Sequence, residues 1–327
     1  NNSMKNIFLV ASPLQVICAY ELSKNFSSDE NILCPLYKVG SEVAGEQITE
    51  SIQIFKFKDI LRVDISSNSV TSYFEQVIKF CLIRARYRSR NYRLIIGDFR
   101  NSAMHLARLA FLPTETYVID DGFSSYIAIK NFTQHKIYFN TSSKKLRFIL
   151  KVLGFYQYLT QSPVKLFTIY EPFFSDQNLL LNDFKYTKQL LNIKSKTFDD
   201  SIVYFIGGKL SERGAICLED ELIIMKNIYE YWKLKGKKII YIAKRTSSDK
   251  KLNKLQELGM ETQRLEYPIE LFLMKNELLP KYICGFGSSL FATLPPIFPQ
   301  ITYICFKFPT QLFNNSTDKS NYSEFLE

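Results

Sequence analysis

The hydrophobic positions of the chain fall into short apolar runs that alternate with stretches of helical spacing. Short runs of this kind are typical of strands in a parallel sheet, and they predict strands at 6–11, 32–37, 52–57, 93–97 and 116–119, then at 202–206, 238–243 and from 282 onward. Helices are predicted at 13–22, 70–88, 102–110 and 144–153. This order predicts an α/β fold of two Rossmann-like domains that face a central cleft.

The chain is expected to divide into two domains and a tail. The first domain is predicted over 4–190 and the second over 200–308, because the periodicity weakens over 140–200 and the alternation resumes at Ile202. A chain of 327 residues is too long for one ordinary core, which agrees with this division. The polar segment 309–327 is predicted to be a loosely packed tail.

Composition excludes several classes of protein. A hydrophobic content of 46% with 23% charged residues is typical of a globular chain and excludes a disordered one. Two histidines, His105 and His135, and six scattered cysteines without a CxxC pair predict neither a histidine-rich metal site nor a zinc site. Several cysteines lie in apolar runs, which indicates buried thiols in a reducing compartment. No apolar stretch reaches the roughly 18 residues of a membrane span and no signal-peptide pattern is present, so we expect a soluble, cytoplasmic protein.

The net charge of +10 is concentrated in the segment 84–93, which carries five arginines and two interleaved tyrosines. Three interpretations stay open for this segment: a solvated helix surface, a face that contacts anionic lipid at the inner side of the cell membrane, and a nucleic-acid surface. No RNA-binding module signature accompanies it, so nucleic acid is not an expected partner.

Three loops in the second half follow predicted strands and carry groups suited to a phosphate. They are Gly207-Gly208, Lys244-Arg245 and Gly287-Ser288-Ser289. Glycines allow close approach, cations and hydroxyls bind phosphate oxygens, and helix starts present free N–H groups. Because the carboxyl ends of parallel strands share one sheet edge, the loops together predict a nucleotide pocket. Each loop alone is also explained by an ordinary tight turn or a capped helix start.

Four carboxylates are candidates for a general base or for holding a ribose. Asp120-Asp121-Gly122 ends a predicted strand, where two adjacent carboxylates raise one another's pKa, although an Asx-capped turn explains the same residues. Glu212 lies just beyond the glycine pair and is either a base or part of a helix start. Glu270 is placed to hold ribose hydroxyls or is an exposed helix carboxylate.

In their order these motifs resemble the bacterial sialyltransferases of glycosyltransferase family 52, which act on lipooligosaccharide and capsule. The resemblance rests on six short motifs spread over nearly the whole chain: Leu14-Gln15, Ile119-Asp120-Asp121-Gly122, the loop at Gly207, Tyr241-Ile242-Ala243, Glu270 and the loop 285–289. Its specificity lies in the ordered spacing of these motifs.

The resemblance implies an inverting glycosyltransferase of the GT-B type that needs no metal and no other cofactor. The implied donor is CMP-sialic acid, and the implied acceptor is a galactose-type sugar on a bacterial capsule, lipopolysaccharide or lipooligosaccharide. Glu212, or the pair Asp120 and Asp121, is the implied base, and Gln15 and Gly122 join the substrate-binding set.

On the donor side, the resemblance assigns the leaving phosphate to a histidine after the second strand, a position that Lys244 occupies here. We therefore expect Lys244, with Arg245 and the serine loop, to hold the phosphate as a fixed cation, and Glu270 to hold the ribose. The expected partners are a nucleotide sugar and an oligosaccharide acceptor, with contact to an anionic membrane and a homodimer as further options. Two alternatives stay open: the same fold with another nucleotide-sugar donor, and an inactive glycan-binding homologue.

Overall fold

The computed structural model describes residues 4–26, 30–66, 69–89, 91–139, 141, 143–171, 176–244, 247–316 and 319–320. The chain divides into two compact units, Asn1–Leu190 and Leu191–Glu327. Each unit is built on a parallel β-sheet with helices between strands. The predicted α/β fold of two Rossmann-like units is therefore confirmed.

The first unit contains eight strands and eight helices among its described residues. The strands are β1 (Lys5–Val10), β2 (Glu30–Lys38), β3 (Asp59–Ile60), β4 (Val63–Ile65), β5 (Tyr92–Ile96), β6 (Glu115–Ile119), β7 (Lys165–Thr168) and β8 (Leu179–Leu181). The helices are α1 (Pro13–Asn25), α2 (Glu42–Phe55), α3 (Val70–Tyr87), α4 (Ser102–Phe111), α5 (Phe123–His135), α6 (Lys144–Val152), α7 (Phe155–Gln161) and α8 (Lys185–Leu190). The strand order is β3-β2-β1-β5-β6-β7-β8, and β4 also pairs with β2.

Two of the helices that follow a strand in this unit, α1 and α4, have side-chain caps. Ser12 caps α1 by accepting a hydrogen bond from the N–H of Gln15 at 3.3 Å, and Pro13 occupies the first turn, where its missing N–H costs nothing. Asn101 caps α4 by accepting from the N–H of Ala103 at 3.0 Å. These caps fix the loops at the carboxyl ends of β1 and β5.

The second unit repeats the same order on a smaller scale. Its strands are β9 (Thr197–Ile206), β10 (Lys238–Ala243), β11 (Glu261–Arg264), β12 (Leu278–Gly285) and β13 (Thr302–Cys305), in the order β11-β10-β9-β12-β13. Its helices are α9 (Leu218–Leu234), α10 (Asp249–Glu257), α11 (Ile269–Lys275) and α12 (Leu290–Ile297). The core forms around Trp232 of α9 and around Phe205 and Tyr241, whose rings stack with centroids 5.7 Å apart.

One predicted strand is wrong. Residues 52–55 of the segment predicted as a strand form the end of α2. Its buried residues Ile48, Ser51, Ile52 and Phe55 recur every three or four positions, which is the helical period. A short apolar run does not separate strand from helix, and here the residues before it decide the outcome.

Three further expectations concern the cysteines, the C-terminal segment and the membrane-spanning potential of the helices. Cys18, Cys34 and Cys284 are buried as predicted, whereas the other three cysteines are exposed, and all six are free thiols. The segment predicted as a loose tail is attached at its start, because the N–H of Asn314 donates to the carbonyl of Ala215 at 2.8 Å. Among the residues described, none of the helices combines the length and the apolarity needed to cross a membrane.

Candidate functional site

The strand order of the first unit changes direction at β1, and polar residues gather there. β2 lies on one side of β1 and β5 on the other, so the order switches between β1 and β5. In open α/β sheets, ligands bind outside the carboxyl ends of the strands at such a switch point. Gln15, Asp98 and Asp121 follow β1, β5 and β6 at this edge.

Gln15 is fixed between two strand ends. Its Oε1 accepts a hydrogen bond from the N–H of Ala11 at 2.7 Å, and its Nε2 donates to Oδ1 of Asp121 at 2.8 Å. Gly97 leaves the room for this side chain, since a Cβ at Gly97 would lie 2.1 Å from Gln15 Oε1. Gln15 therefore orients Asp121 from a buried position.

Asp121 also contacts a cation. Arg100 Nη2 lies 3.3 Å from Oδ2 of Asp121, and the same guanidinium pairs with Asp98 at 3.2 Å. Burial and then the negative charge of Asp98 raise the pKa of Asp121, against the opposing effects of Gln15 and Arg100. A partly buried carboxylate with a raised pKa at a strand end is suited to accept a proton.

Asp120 lies in different surroundings. Its carboxylate is buried and accepts hydrogen bonds from the hydroxyl of Thr168 at 2.7 Å and from the N–H of Ile169 at 2.8 Å. Burial raises the pKa of Asp120 to about 7 in spite of these bonds. Asp120 thus ties the end of β6 to the end of β7. Gly122 follows with a φ of +65°, a conformation that favours glycine, and starts α5.

A pocket of about 360 Å³ lies beside Arg100. Besides Arg100, its polar lining comes from the ends of β2 and β4, from α3 and from the start of α4: Lys38, Ser41, Ser66, Gln76, Asn101 and Ser102. Gln76 is buried and donates through Nε2 to the hydroxyl of Ser72 at 2.9 Å, but its Oε1 has no hydrogen-bond partner among the described residues. Hydroxyls, an unpaired amide oxygen and a guanidinium suit a sugar that carries an anionic group.

The second unit has its own switch point between β9 and β12. Gly207-Gly208 follows β9, and the two glycines differ in their surroundings. A Cβ at Gly207 would lie 2.5 Å from the ring and hydroxyl of Tyr241, whereas a Cβ at Gly208 would meet only Leu210, at 3.7 Å. Packing against Tyr241 therefore explains Gly207, and Gly208 leaves open space at the strand end.

Glu212 belongs to a network of buried charges. Lys251 of α10 is buried and lies 2.5 Å from Glu221 and 3.3 Å from Glu212, and it also donates to the carbonyl of Gly208 at 3.0 Å. Burial raises the pKa of Glu212, but its own backbone N–H, the charge of Lys251 and the N–H of Ser248 outweigh burial and bring the pKa below its ordinary value. Glu212 is therefore held as an ionised group, which makes it a weaker proton acceptor than Asp121.

Positive charge converges around Lys244 at the end of β10. Partial burial and then the positive charges of Lys209 and Arg213 lower the pKa of Lys244, with Glu212 opposing them. Cations that lower each other's pKa bind an anion favourably, because the anion relieves their repulsion. Arg245, predicted to act beside Lys244, lies outside the described residues.

The loop after β12 and the start of α11 hold the remaining predicted residues. Gly287 has a φ of +105°, Ser288 accepts a weak hydrogen bond from the N–H of Leu290 at 3.4 Å, and Ser289 is the N-cap of α12 without a side-chain cap bond. Glu270 is buried in the first turn of α11, where burial raises its pKa and its own N–H donates to the carboxylate. The alternative that Glu270 is an exposed helix carboxylate is therefore wrong, while its role toward a ribose stays a prediction.

Neither of the two histidines, His105 and His135, belongs to one of these loops. His105 is buried in α4, where its Nε2 donates to the carbonyl of Phe99 at 2.6 Å, and burial lowers its pKa to about 3. Among the described residues, no group of three or more His, Cys, Asp or Glu side chains is arranged to hold a metal ion.

Sequence reasoning missed several residues that the structure brings to these two edges: Arg100, Gln76, Thr168, Lys209, Arg213, Glu221 and Lys251. Arg100 had a usable signal, since it lies three residues beyond the apolar run 93–97. Gln76 and Lys251 had none, because each comes from a helix and reaches its site only through packing.

The comparisons with known proteins identify a family and a fold. The family model for alpha-2,8-polysialyltransferase matches residues 6–307. No curated protein matches the chain by sequence. The match supports the resemblance to bacterial sialyltransferases, while membership of glycosyltransferase family 52 in particular stays a prediction.

Two solved structures show the likeness in fold. A UDP-GlcNAc 2-epimerase from Methanocaldococcus jannaschii is 10% identical over 98% of this chain and 92% of that one, with a TM-score of 0.55. A UDP-GlcNAc 2-epimerase from Neisseria meningitidis bound to UDP-GlcNAc is 9% identical over 87% and 77%, with a TM-score of 0.51. At such low identity the likeness establishes the GT-B-like fold alone.

Proposed function

This chain belongs to the alpha-2,8-polysialyltransferase family, a family of glycosyltransferases, and from that premise we propose that it transfers sialic acid from CMP-sialic acid to the terminal sugar of a bacterial surface glycan. The observation that carries the proposal is the position of Asp121 at a topological switch point, beside Arg100 and the pocket that Arg100 lines. A proton acceptor next to a polar pocket is what activation of a sugar hydroxyl requires.

On the acceptor side, Asp121 is the proposed base. It takes the proton of the acceptor hydroxyl, whose oxygen forms a bond to the anomeric carbon of sialic acid while the bond from that carbon to the phosphate oxygen breaks. CMP leaves with the bonding electrons, and the anomeric centre is inverted. Asp121 is preferred to Glu212 because burial raises the pKa of Asp121, whereas its own backbone N–H and the charge of Lys251 bring the pKa of Glu212 below its ordinary value. Asp120 and Gln15 act as positioning residues, since both are buried and hydrogen-bonded at the same strand ends.

On the donor side, the cations around Lys244 are proposed to bind the phosphate of CMP. Lys209 and Arg213 contribute positive charge there, and Arg245 and the hydroxyls of Ser288 and Ser289 are assigned to the same phosphate. A departing phosphate monoester with a second pKa near about 6 needs charge stabilisation more than a full proton. A fixed cation therefore replaces the acid in this proposal, and no metal is required. Glu270 is assigned to the ribose, and Gly207-Gly208 to the approach of the donor.

The proposed acceptor follows from the lining of the pocket beside Arg100. The galactose-type acceptor expected from the sequence would use its hydroxyl-rich lining. A second candidate is a glycan that ends in sialic acid, as the family's description indicates. Lys38, which lines the same pocket, favours it because an ammonium group attracts a carboxylate.

The experiment is donor hydrolysis and transfer with a panel of nucleotide sugars, each offered with galactose-ended and sialic-acid-ended oligosaccharides. We expect turnover of CMP-sialic acid, with calorimetric binding of CMP but of neither UDP nor GDP. Turnover of another donor would move the protein to a different glycosyltransferase activity. Binding of none would identify a glycan-binding homologue without activity.

Variants then separate the two candidate bases. Asp121→Asn should lower kcat by about 10²–10⁴-fold, the usual contribution of a general base, and should remove the acid limb of the pH profile. Glu212→Gln should leave that limb in place. If the limb disappears in Glu212→Gln and persists in Asp121→Asn, the base lies in the second unit.

Replacing both Ser288 and Ser289 by Ala should weaken CMP binding by about 1–3 kcal/mol, and unchanged affinity would remove the loop from the site.

A further inference from the structure

Helix α3 exposes a stripe of large apolar side chains. Phe74, Ile78 and Leu82 follow one another at four-residue spacing, so they lie on one face, and their exposed fractions are 53%, 60% and 65%. The helix is already anchored through other positions, with Tyr73 and Phe80 buried in the unit. The stripe therefore does not serve the fold of the first unit.

Helices α6 and α7 expose a second set of apolar groups. Phe148 and Val152 of α6 are 70% and 68% exposed, and Leu153 in the turn after α6 and Phe155 at the start of α7 are also exposed. Leu146 and Leu150 anchor α6 in the core from its other side. Helices α6 and α7 and the turn between them thus leave these four large apolar side chains in solvent, and with the three of α3 the total is seven.

The two sets belong to one region of the first unit. Tyr73 of α3 shares a buried cluster with Leu146 and Leu150 of α6, and its hydroxyl donates to Ser143 Oγ, the cap of α6, at 2.9 Å. We call the exposed faces of α3, α6 and α7 the α3–α7 surface. The contacts of Tyr73 with α6 fix the positions of α3 and α6 relative to each other.

The charges around α6 all have one sign. Lys144, Lys145, Arg147 and Lys151 are exposed. The whole segment 122–170 contains no Asp or Glu. Apolar side chains interleaved with cations and without acids form the pattern of a helix that lies in a membrane interface, where the apolar groups enter the headgroup layer and the cations meet anionic lipid.

We propose that the α3–α7 surface binds the face of an anionic lipid bilayer. On α3, exposed Glu75 is paired with Lys79 at 2.7 Å, so the net positive charge of the surface comes from α6. A second copy of the chain fits this surface poorly, because the two like-charged α6 faces would meet. The segment 84–93, where the sequence placed a basic face, contributes less: Arg84 donates to the carbonyl of Ala110 at 3.0 Å, and Arg93 pairs with Glu115 at 2.8 Å. The proposal concerns attachment and does not depend on the donor or acceptor of the reaction.

The test is co-sedimentation of the full chain with vesicles of phosphatidylcholine alone and of an equal mixture of phosphatidylcholine and phosphatidylglycerol. We expect binding to the anionic vesicles only, and weaker binding as salt is raised. Phe148→Ser with Val152→Ser should lower the partition coefficient tenfold or more. Lys144→Gln, Lys145→Gln and Lys151→Gln should each lower it by about fivefold, the effect of one basic residue near such a surface.

The matched control is Leu234→Ser in the second unit, which removes a side chain that is 89% exposed and lies far from this surface in the sequence. It should bind as the wild type does, and all variants should keep the wild-type circular dichroism. The proposal is overturned if the wild type does not bind anionic vesicles, or if the α6 variants bind them as well as Leu234→Ser does. It is equally overturned if the α6 variants abolish a concentration-dependent dimer while vesicle binding is unchanged, since the surface then joins two copies.

Discussion

Asp120 and Asp121 are neighbours in the chain, yet their carboxylates meet different surroundings. Asp120 is closed off by hydrogen bonds from Thr168 and Ile169 at the end of β7. Asp121 is held from the side by Gln15 and remains in contact with Arg100, whose side chain is exposed. One carboxylate therefore fixes the loop and the other is available for chemistry.

The raised pKa of Asp120 gives a prediction about stability. Because the folded-state value is about 7 and the ordinary value is 3.8, unfolding releases a proton between these limits, and the wild type loses stability as pH rises through that window. The amide introduced by Asp120→Asn does not titrate, so the stability of this variant does not carry this pH dependence. The free energy of unfolding of the wild type, minus that of Asp120→Asn, should thus fall from about pH 4 to about pH 7 by up to about 1.4 kcal/mol per pH unit.

Urea unfolding at a series of pH values measures this difference. Asp176→Asn is the control with the opposite sign, because the N–H of Asn178 lowers the pKa of Asp176 and its contribution is lost as pH falls. A difference between wild type and Asp120→Asn that does not change with pH would mean that Asp120 is ionised in the folded protein.

Lys244 gives a second prediction at the scale of a residue. If it acts as a fixed cation, Lys244→Ala should weaken CMP binding and lower turnover, while exposed Lys226→Ala on α9 should change neither. Lys244→His should recover part of the lost CMP binding and turnover below about pH 6.5 and none of it above, because only the protonated imidazole carries the charge.

The wild type should lack this pH dependence. Arg245 can share the role, in which case both single variants are mild and the double variant is severe. A double variant that turns over at the wild-type rate would show that the phosphate is held by other residues.

At the scale of single residues, the sequence predicted site residues that directly follow a strand and missed site residues that belong to helices. Gln15 and Asp121 lie directly beyond apolar runs, so their shared sheet edge could be predicted and their contact is found. Lys251 lies inside a polar helix start, and nothing in its neighbours along the chain indicates that it is buried between Glu212 and Glu221. Such pairings depend on packing that a single sequence does not reveal.

The elements themselves were predictable where a run was bounded by strong turn or cap residues. Helix α1 follows from Ser12 and Pro13, and helix α3 from its long helical spacing. The segment 52–57 had no such boundary, and its few apolar residues fitted either period. Short apolar runs without turn or cap residues at their ends therefore cannot be assigned to a strand or a helix from the sequence.

The loop after β9 allows a matched pair of substitutions at the scale of an element. Gly207→Ala places a methyl group 2.5 Å from Tyr241, so we expect it to lower the free energy of unfolding by about 1–3 kcal/mol, the usual cost of overpacking. Gly208→Ala meets only Leu210 at 3.7 Å and should change stability by less than about 0.5 kcal/mol.

Urea denaturation compares the two variants, and CMP titration adds the functional half of the test. Gly208→Ala should weaken CMP binding if the donor approaches this open strand end. Equal stability of the two variants would mean that Tyr241 shifts without cost, and the packing explanation of Gly207 would fail.

At the scale of the whole molecule, the two units repeat one arrangement. Each has its first strand in the centre of the sheet, the next strands on one side and the later strands on the other. Each therefore has one switch point, with the polar residues of the first unit around Asp121 and the cations of the second around Lys244. The position of both candidate sites follows from chain topology, and their difference in charge follows from the residues placed there.

That difference in charge leads to a prediction about metals. The net charge of the chain is +10, and Lys209, Arg213 and Lys244 already bring positive charge to the proposed phosphate site. Of the adjacent carboxylates, Asp120 is engaged by hydrogen bonds, and the positive charge of Arg100 beside Asp121 opposes the binding of a divalent cation there. Activity should therefore survive EDTA, and added Mg²⁺ or Mn²⁺ should change the rate less than twofold, whereas raised ionic strength should weaken CMP binding by screening the cations.

Transfer rates with EDTA, with each metal and with added salt measure these effects, and Lys244→Ala, with one cation fewer, should be less sensitive to salt than the wild type. A strict requirement for either metal would contradict the cation mechanism and assign the stabilisation of the leaving phosphate to a bound ion.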